Sequence, residues 1–400
     1  MPITELPGVY YREKVTYELT GEGSKIPIFI GKTGNSTTSN YKVDGTQVLK
    51  FNNKNDALRA VVGTGDEWKS KTGIGTPSET NELATVINEF YEEARLLQST
   101  DVGVPYIYVI DLGTATDYTA WIKALDEAKT FYDAPVEVYV GLENCTKDAD
   151  NQDITLAQLI VGACDKIHKA TEELNLRYAF LTKKGITDAQ LKELSSSIVT
   201  SMSANVQKLS RIGLCEPNLF GKTVARICCT PYNTEPGYYT YRSVTPDTFN
   251  RRLKEDALGL QSKGIIFNRD EYINGKKYPK LNLCVSVAFN SDINSRPADS
   301  LFHARFNADD LLREIFEACY SQVKANESTT NIAYLQTRIN KIVNDRVTNE
   351  EMIKYNEKTE QGTKLTVQSS DEDPYSLIVT GQIQPVKCTI AIKVEATVKI

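Results

Sequence analysis

The chain has little of what metal and acid–base chemistry usually needs. Its 400 residues include only 2 histidines, 2 tryptophans and 3 methionines. Neither His168 nor His303 has a cysteine at ligand spacing, so no metal site is expected. The 8 cysteines are too sparse for a disulfide scaffold and form no Cys-x-x-Cys pair. Most stand at apolar positions, such as Cys164 and Cys319, so buried reduced thiols in a protein made in a reducing cytosol are expected. No run approaches the roughly 18 apolar residues of a membrane span, so no membrane insertion is expected. The N-terminus has no basic region followed by an apolar stretch, which argues against a secretory signal. A net charge of −6 gives no electrostatic reason to bind nucleic acid.

Enzyme signatures are also scarce. Gly31-Lys32-Thr33 and Gly221-Lys222-Thr223 each mimic the end of a phosphate-binding loop. That loop needs another glycine five residues before the Gly-Lys pair, where this chain has Ile26 and Glu216. No Gly-x-Gly-x-x-Gly follows a strand, and no Gly-x-Ser-x-Gly elbow exists. The acidic run 148–153 lacks the glycine and glutamate of a calcium loop and reads as a solvated turn. Asp111 closes an expected parallel strand, where α/β enzymes place active residues, but a structural role is expected for it. These observations predict no catalytic residue and no cofactor.

What the chain does have is order of elements. Residues 26–230 alternate strand and helix, which predicts a mostly parallel sheet covered by helices. Expected strands are 26–30, 104–110, 136–140, 178–181 and 224–229. Amphipathic helices lie between them: Leu83 to Leu97, introduced by a Thr76-Pro77 cap with Glu79; Trp121 to Tyr132; Leu156 to Leu174; and one opened by Thr187-x-x-Gln190. Prolines and tyrosines at 231–245 break the pattern and place a domain boundary there. Beyond it an α+β part is expected. It has a helix from about Asp247, a strand at 265–267, a hairpin turning at Asn274-Gly275 and a strand at 281–289. Helices then run through Leu311 to Val323 and Ile332 to Ile342, and a short one is opened by Thr348-x-x-Glu351. Strands at 365–368 and 377–380 close the part. The 21 tyrosines, dense at 238–241 and at Tyr10-Tyr11, fit either an interface or packing on their own domain.

The two ends are the most distinctive. Ile390, Ile392, Val394, Val398 and Ile400 alternate with Lys393, Glu395, Thr397 and Lys399, the pattern of a long half-buried strand. Near the start, Val9, Tyr11, Val15, Tyr17 and Leu19 share one side of an extended segment that follows Pro7-Gly8. Strands at chain ends expose unpaired backbone and invite pairing with another chain. The division expected is an N-terminal arm at 1–20, an α/β domain at 21–240, an α+β domain at 241–385 and a C-terminal strand arm at 386–400.

Pro7-Gly8-Val9-Tyr10 with Glu13, then the strand at 26–30 ending in Gly31, resembles the start of contractile tail sheath proteins. Gly381-Gln382-Ile383-Gln384-Pro385-Val386 before an alternating strand is similar to their C-terminus. The resemblance covers only the two ends. It implies a homo-oligomer of stacked rings wound helically around a tail tube protein, with baseplate and tail terminator proteins at its ends. It implies arms that pair with a sheet in neighbouring subunits and hold the lattice together during contraction. It also implies an inner α+β domain, an outer α/β domain and a place in a virion tail or phage-tail-like particle assembled in the host cytoplasm. The rival reading is an α/β enzyme acting on a small phosphorylated or carbonyl substrate, with a C-terminal oligomerisation module. It explains the parallel-sheet pattern but neither the missing motifs nor the terminal strands.

Overall fold

A computed structural model describes residues 25–32, 48–62, 81–97, 104–112, 118–142, 147, 152–172, 175–232, 234–238, 240–244, 254–273, 276–290, 300–320, 329–369 and 377–386. In chain order the larger of two compact units holds β1 (Pro27–Gly31), β2 (Leu49–Phe51), α1 (Lys54–Val62), α2 (Glu82–Leu97), β3 (Ile107–Asp111), α3 (Tyr118–Ala128), β4 (Val136–Val140), α4 (Leu156–Glu172), β5 (Tyr178–Leu181), α5 (Asp188–Ser201), β6 (Ile212–Cys215), α6 (Phe220–Cys229), α7 (Lys254–Ser262), β7 (Ile265–Ile266), β8 (Asn268–Ile273) and β9 (Lys276–Leu281). The smaller unit holds α8 (Phe302–Tyr320), α9 (Thr329–Thr348), β10 (Lys364–Ser369) and β11 (Leu377–Gln382).

Among the described residues, seven strands form one sheet in the order β2-β3-β1-β4-β5-β6-β7. Every pairing is parallel except β2 against β3. Parallel strands covered on both faces read as unbroken apolar runs, and β1, β3 and β4 are buried at every position. Side chains alternate between faces. Ile28 and Ile30 join a core with Trp121 and Leu125 of α3, Ile160 and Ile167 of α4, and Leu191 and Ile198 of α5. Phe29 points the other way and meets Phe90 of α2 edge to face, with ring centres 5.3 Å apart. Glu137 of β4 and Asp111 of β3 are the charged exceptions. Glu137 is buried, ion-paired with Arg177 and accepts a hydrogen bond from Tyr139.

The expected mostly parallel sheet with helices is present. Strands β4 and β5 have the expected bounds, and the Thr187–Gln190 capping box opens α5. Residues 224–229, expected as a strand, lie in helix α6. Every residue of α6 is buried, Lys222 and Arg226 included, and the apolar run 224–229 taken by itself is too short to be told from a strand by periodicity. The strand in that region is β6, only four residues long. It includes Gly213, where a Cβ would come within 2.5 Å of the Phe180 ring. Helix α2 starts at Glu82, with Asn81 Oδ1 accepting from the Ala84 N–H at 3.0 Å. The expected cap at 76–79 lies outside the described residues. The hairpin β8–β9 pairs in the expected place, but 281–289 is not a strand. There the chain ends β9 and makes a 3-10 turn at Val287–Asn290.

The boundary expected near 240 moves to Phe302/His303. Ile265 and Ile266 add the seventh strand beside β6, so residues beyond 240 complete the sheet. Tyr241 is part of the same fabric: it is buried, with its hydroxyl bonded to Asn268 and to Thr223. Tyr238 is exposed, so the tyrosine cluster divides between packing and surface.

Helices α2 and α6 approach closely at Gly221, where a Cβ would lie 2.2 Å from the Val86 carbonyl oxygen and 2.9 Å from the Phe90 nitrogen. Backbone on both sides leaves nothing flexible to give way. Gly221→Ala should therefore lower stability by about 1–3 kcal/mol despite its better helix propensity. Urea titration checks this, and an unchanged or higher midpoint would show that the two helices can separate freely.

Candidate assembly site

The smaller unit builds a two-stranded antiparallel sheet, β10–β11, against two helices. In β10 the alternation is clean: Leu365 and Val367 are buried while Lys364, Thr366 and Gln368 are exposed. The buried pair joins Leu311, Ile315 and Ala318 of α8 and Leu335, Ile339 and Ile342 of α9. Leu377 and Val379 of β11 pack on the same cluster. One face of the sheet is thus core and the other is open, with Ile378 39% exposed on it.

Gly381-Gln382-Ile383-Gln384-Pro385-Val386 leaves this sheet through a clasp. Gly381 closes β11 at a φ of 147°, and a Cβ there would lie 2.0 Å from the Lys364 carbonyl oxygen, so only glycine fits. Gln382 Nε2 donates to the carbonyls of Glu360 and Gly362 at 2.8 and 2.9 Å. Gln384 Oε1 accepts from the Gly362 N–H at 2.7 Å, its own N–H donates to Thr363 Oγ1 at 2.9 Å, and its carbonyl accepts from the Ile353 N–H at 2.9 Å. The Val386 N–H donates to the Glu351 carbonyl at 2.9 Å. Each residue of the quoted run after Gly381 either bonds to the 351–363 segment or lies between residues that do.

That segment is not the short helix expected from Thr348-x-x-Glu351. Helix α9 runs to Thr348, whose hydroxyl donates to the Asn344 carbonyl at 2.9 Å within the helix. Isolated bridges pair Met352 with Pro385, Lys354 with Thr363 and Asn356 with Gln361. Positive φ angles at Glu350, Glu360 and Gly362 turn the chain back on itself.

One cation ties the clasp to the helices. Arg346 Nη1 lies 2.7 Å from both Asp310 and Glu351, and Nη2 lies 2.9 Å from Glu314. Burial works against the guanidinium charge, but Asp310, Glu351 and Glu314 outweigh it and hold its pKa above the ordinary arginine value. Periodicity did not single out Arg346. Its only sequence signal was basic charge in the last turn of a helix.

The other residues considered fall into structural roles. The Gly221 N–H donates to Glu89 at 3.0 Å and Lys222 pairs with Glu92 at 3.2 Å, so carboxylates of α2 stand where the N-terminus of α6 would meet a phosphate. Gly31 packs on Val140, with a Cβ reaching its carbonyl oxygen at 2.7 Å. Asp111 is buried at the end of β3 opposite Gly31. Cys164, Cys215, Cys228, Cys229 and Cys284 are free and buried, and burial pushes the Cys164 thiol up to about 12. Among the described residues no cluster of three potential metal ligands occurs, and no helix is long and apolar enough to cross a membrane. The arm residues Val9, Tyr11, Val15, Tyr17, Leu19, Ile390, Ile392, Val394, Val398 and Ile400 lie outside the described residues.

Comparison with known proteins gives the architecture a context. No protein-family profile and no curated sequence matches the chain. Solved structures do. The helical sheath of the anti-feeding prophage in its contracted state matches with a TM-score of 0.60 at 13% identity, over 99% of each chain. The contracted sheath complex of an extracellular contractile injection system, PVC, matches with a TM-score of 0.61 at 12% identity, over 99% of this chain and 98% of that one. The sheath tail protein of Desulfitobacterium hafniense matches with a TM-score of 0.57 at 10% identity, over 94% and 96%. The chain has the fold of contractile sheath proteins. The likeness runs through both units, so the short motifs at the ends were a fair sample of the whole.

Two outcomes follow from the geometry. Arg346→Ala leaves three carboxylates facing one another, and stability should fall by about 2 kcal/mol, less than for a fully buried pair because the carboxylates keep some water. Hydrogen exchange should also quicken at Ile353 and Val386, and unchanged exchange there would sever the guanidinium from the clasp. The second outcome concerns Glu89, whose pKa burial raises, partly offset by the Gly221 N–H and by Lys222. A raised folded-state pKa means that ionising this group costs stability as pH rises from the unfolded value through the folded one. The Glu89→Gln variant should therefore gain on the wild type in urea midpoint over a pH range that rises from about 4, the ordinary carboxylate value. A constant difference over that range would contradict the burial cost.

Proposed function

We propose that this chain is the structural subunit of a contractile sheath. It polymerises helically around a tail tube, and the sheath shortens to drive the tube through a target envelope. The observation that carries the reading is the near full-length likeness to sheath chains, two of them in contracted assemblies. The clasp supports it. A run of hydrogen bonds fixes the last described residues, and the segment that follows, 387–400, has the alternation of a strand seeking a sheet. On this reading the terminal arms join each subunit to its neighbours. The other partners are the tube protein and the baseplate and terminator proteins. The setting is a virion tail or phage-tail-like particle assembled in the host cytoplasm. No step in this function requires a catalytic residue or a cofactor. Work comes from exchange between two lattice packings of the same subunits.

Electron microscopy of the purified full chain tests this. Tubes or stacked rings are expected. Compact monodisperse particles under all assembly conditions would favour the α/β enzyme reading instead. A chain ending at Val386 should remain a folded soluble subunit, since the clasp is complete without the arm, but should form no tubes. Normal polymerisation of that truncated chain would remove the C-terminal arm from the mechanism.

A further inference from the structure

The smaller unit takes one piece from far upstream in the chain. Residues 232–235 belong to it, although the residues before them, up to Pro231, and after them, from Pro236 to Phe302, belong to the larger unit. Among the described residues the chain thus passes between the units three times, at 231/232, 235/236 and 302/303. One passage is all that two consecutive units need.

The tip of this excursion is held by α8. Tyr232 is buried. Its hydroxyl accepts from Arg313 Nη1 at 2.9 Å, and its ring meets Phe306 near edge to face, with ring centres 6.2 Å apart. Phe306 and Arg313 are seven residues apart, about two turns along one side of the helix, so a single side chain grips α8 at two points. Burial raises the phenol pKa and the Arg313 charge partly offsets the rise, so the hydroxyl is neutral.

The feet of the excursion are held in the larger unit. On the near side Thr230 follows α6. Its N–H donates to the Arg226 carbonyl at 3.1 Å, and its own carbonyl accepts from the buried Lys25 ammonium. On the far side Gly237 is pressed against the chain at the end of β9, where a Cβ would lie 2.8 Å from the carbonyl oxygens of Leu281 and Asn282. Only Pro231 separates Thr230 from Tyr232. That step spans about 7 Å at full stretch, and proline fixes its φ. The strap has no slack to absorb movement at either anchor.

We propose that residues 232–235 are a latch that couples the two units, with Tyr232 as the seated residue and Phe306 and Arg313 as its seat. While Tyr232 is seated, opening at α8 pulls on the end of α6, and opening at the end of α6 pulls on α8. Once it leaves, the direct passage at 302/303 is the one among the described residues that still joins them. The latch belongs to the single subunit and is independent of the sheath reading.

Hydrogen exchange and calorimetry on the full chain in dilute solution test this, and neither needs a polymer. Arg313→Met keeps the apolar stem, removes the fork and alters α8 alone. Exchange should quicken about tenfold at the Thr230 amide, in the other unit, as well as along α8 near residue 313. Tyr232→Phe keeps the ring and should reproduce the rise at Thr230. The two substitutions together should do no more there than either one, because both break the same bond. Tyr232→Ala loses both grips and should split a single thermal transition into two. Acceleration by Arg313→Met confined to α8 would overturn the proposal and reduce Tyr232 to local packing. Additive effects at Thr230 would overturn it as well, and so would two separate transitions in the unsubstituted chain or one transition in Tyr232→Ala. Should Tyr232→Ala fail to fold, Arg313→Met and Tyr232→Phe decide the matter at Thr230, since both leave the ring contact in place.

Discussion

The smaller unit depends on one guanidinium. Arg346 meets carboxylates from α8 and from the segment after α9 in a partly buried setting. Two long helices packed only through leucines and isoleucines could slide along one another, because apolar contact has no direction. Charge-assisted hydrogen bonds have direction, and a guanidinium has a fixed fork. Arg346 therefore sets the register of α8 against α9. Through Glu351 it also places the carbonyl that holds Val386. The same contact that fixes the helix pair fixes the point from which the chain goes on to residues 387–400.

The larger unit rests on a different constraint, which is burial of a parallel sheet on both faces. Every strand position must be apolar or internally paired, and glycine is needed wherever two elements come within backbone contact. Gly31, Gly213 and Gly221 serve that purpose. This gives the two triplets that mimic a phosphate loop a packing role in this architecture. Their glycines let Val140 and Val86 approach, and the lysine of the second is neutralised by Glu92.

Much of the fold was legible because its signals are local. Val136–Val140 and Tyr178–Leu181 are short apolar runs between amphipathic helices, and Thr187 with Gln190 is a cap that closes on itself. What failed depended on tertiary surroundings. Residues 224–229 belong to a helix buried on every side, and its polar positions, Lys222 and Arg226, fall partly outside the apolar run that read as a strand. Ile265 and Ile266 complete the sheet from beyond the proline-rich break, and no local signal announces a distant edge. At the candidate site, the Gly381–Val386 motif was visible as letters. The roles of Gln382 and Gln384 were not, since their partners at 351–363 looked like a helix start. Gln336 and Arg346 read as ordinary polar positions on a helix, and only the packing of α9 against β10, α8 and its own trailing segment gives them partners.

Under the proposed sheath function, connections would have to hold while subunits change neighbours, so stiffness and freedom would have to be apportioned along the chain. The clasp puts stiffness at the base. Gln382, Gln384 and Val386 together make seven hydrogen bonds to the 351–363 segment within five residues. A pull on the segment beyond Val386 would load those bonds in parallel, since several must break together before the base peels. β10 shares that load, because Thr363 is both its approach and a clasp partner.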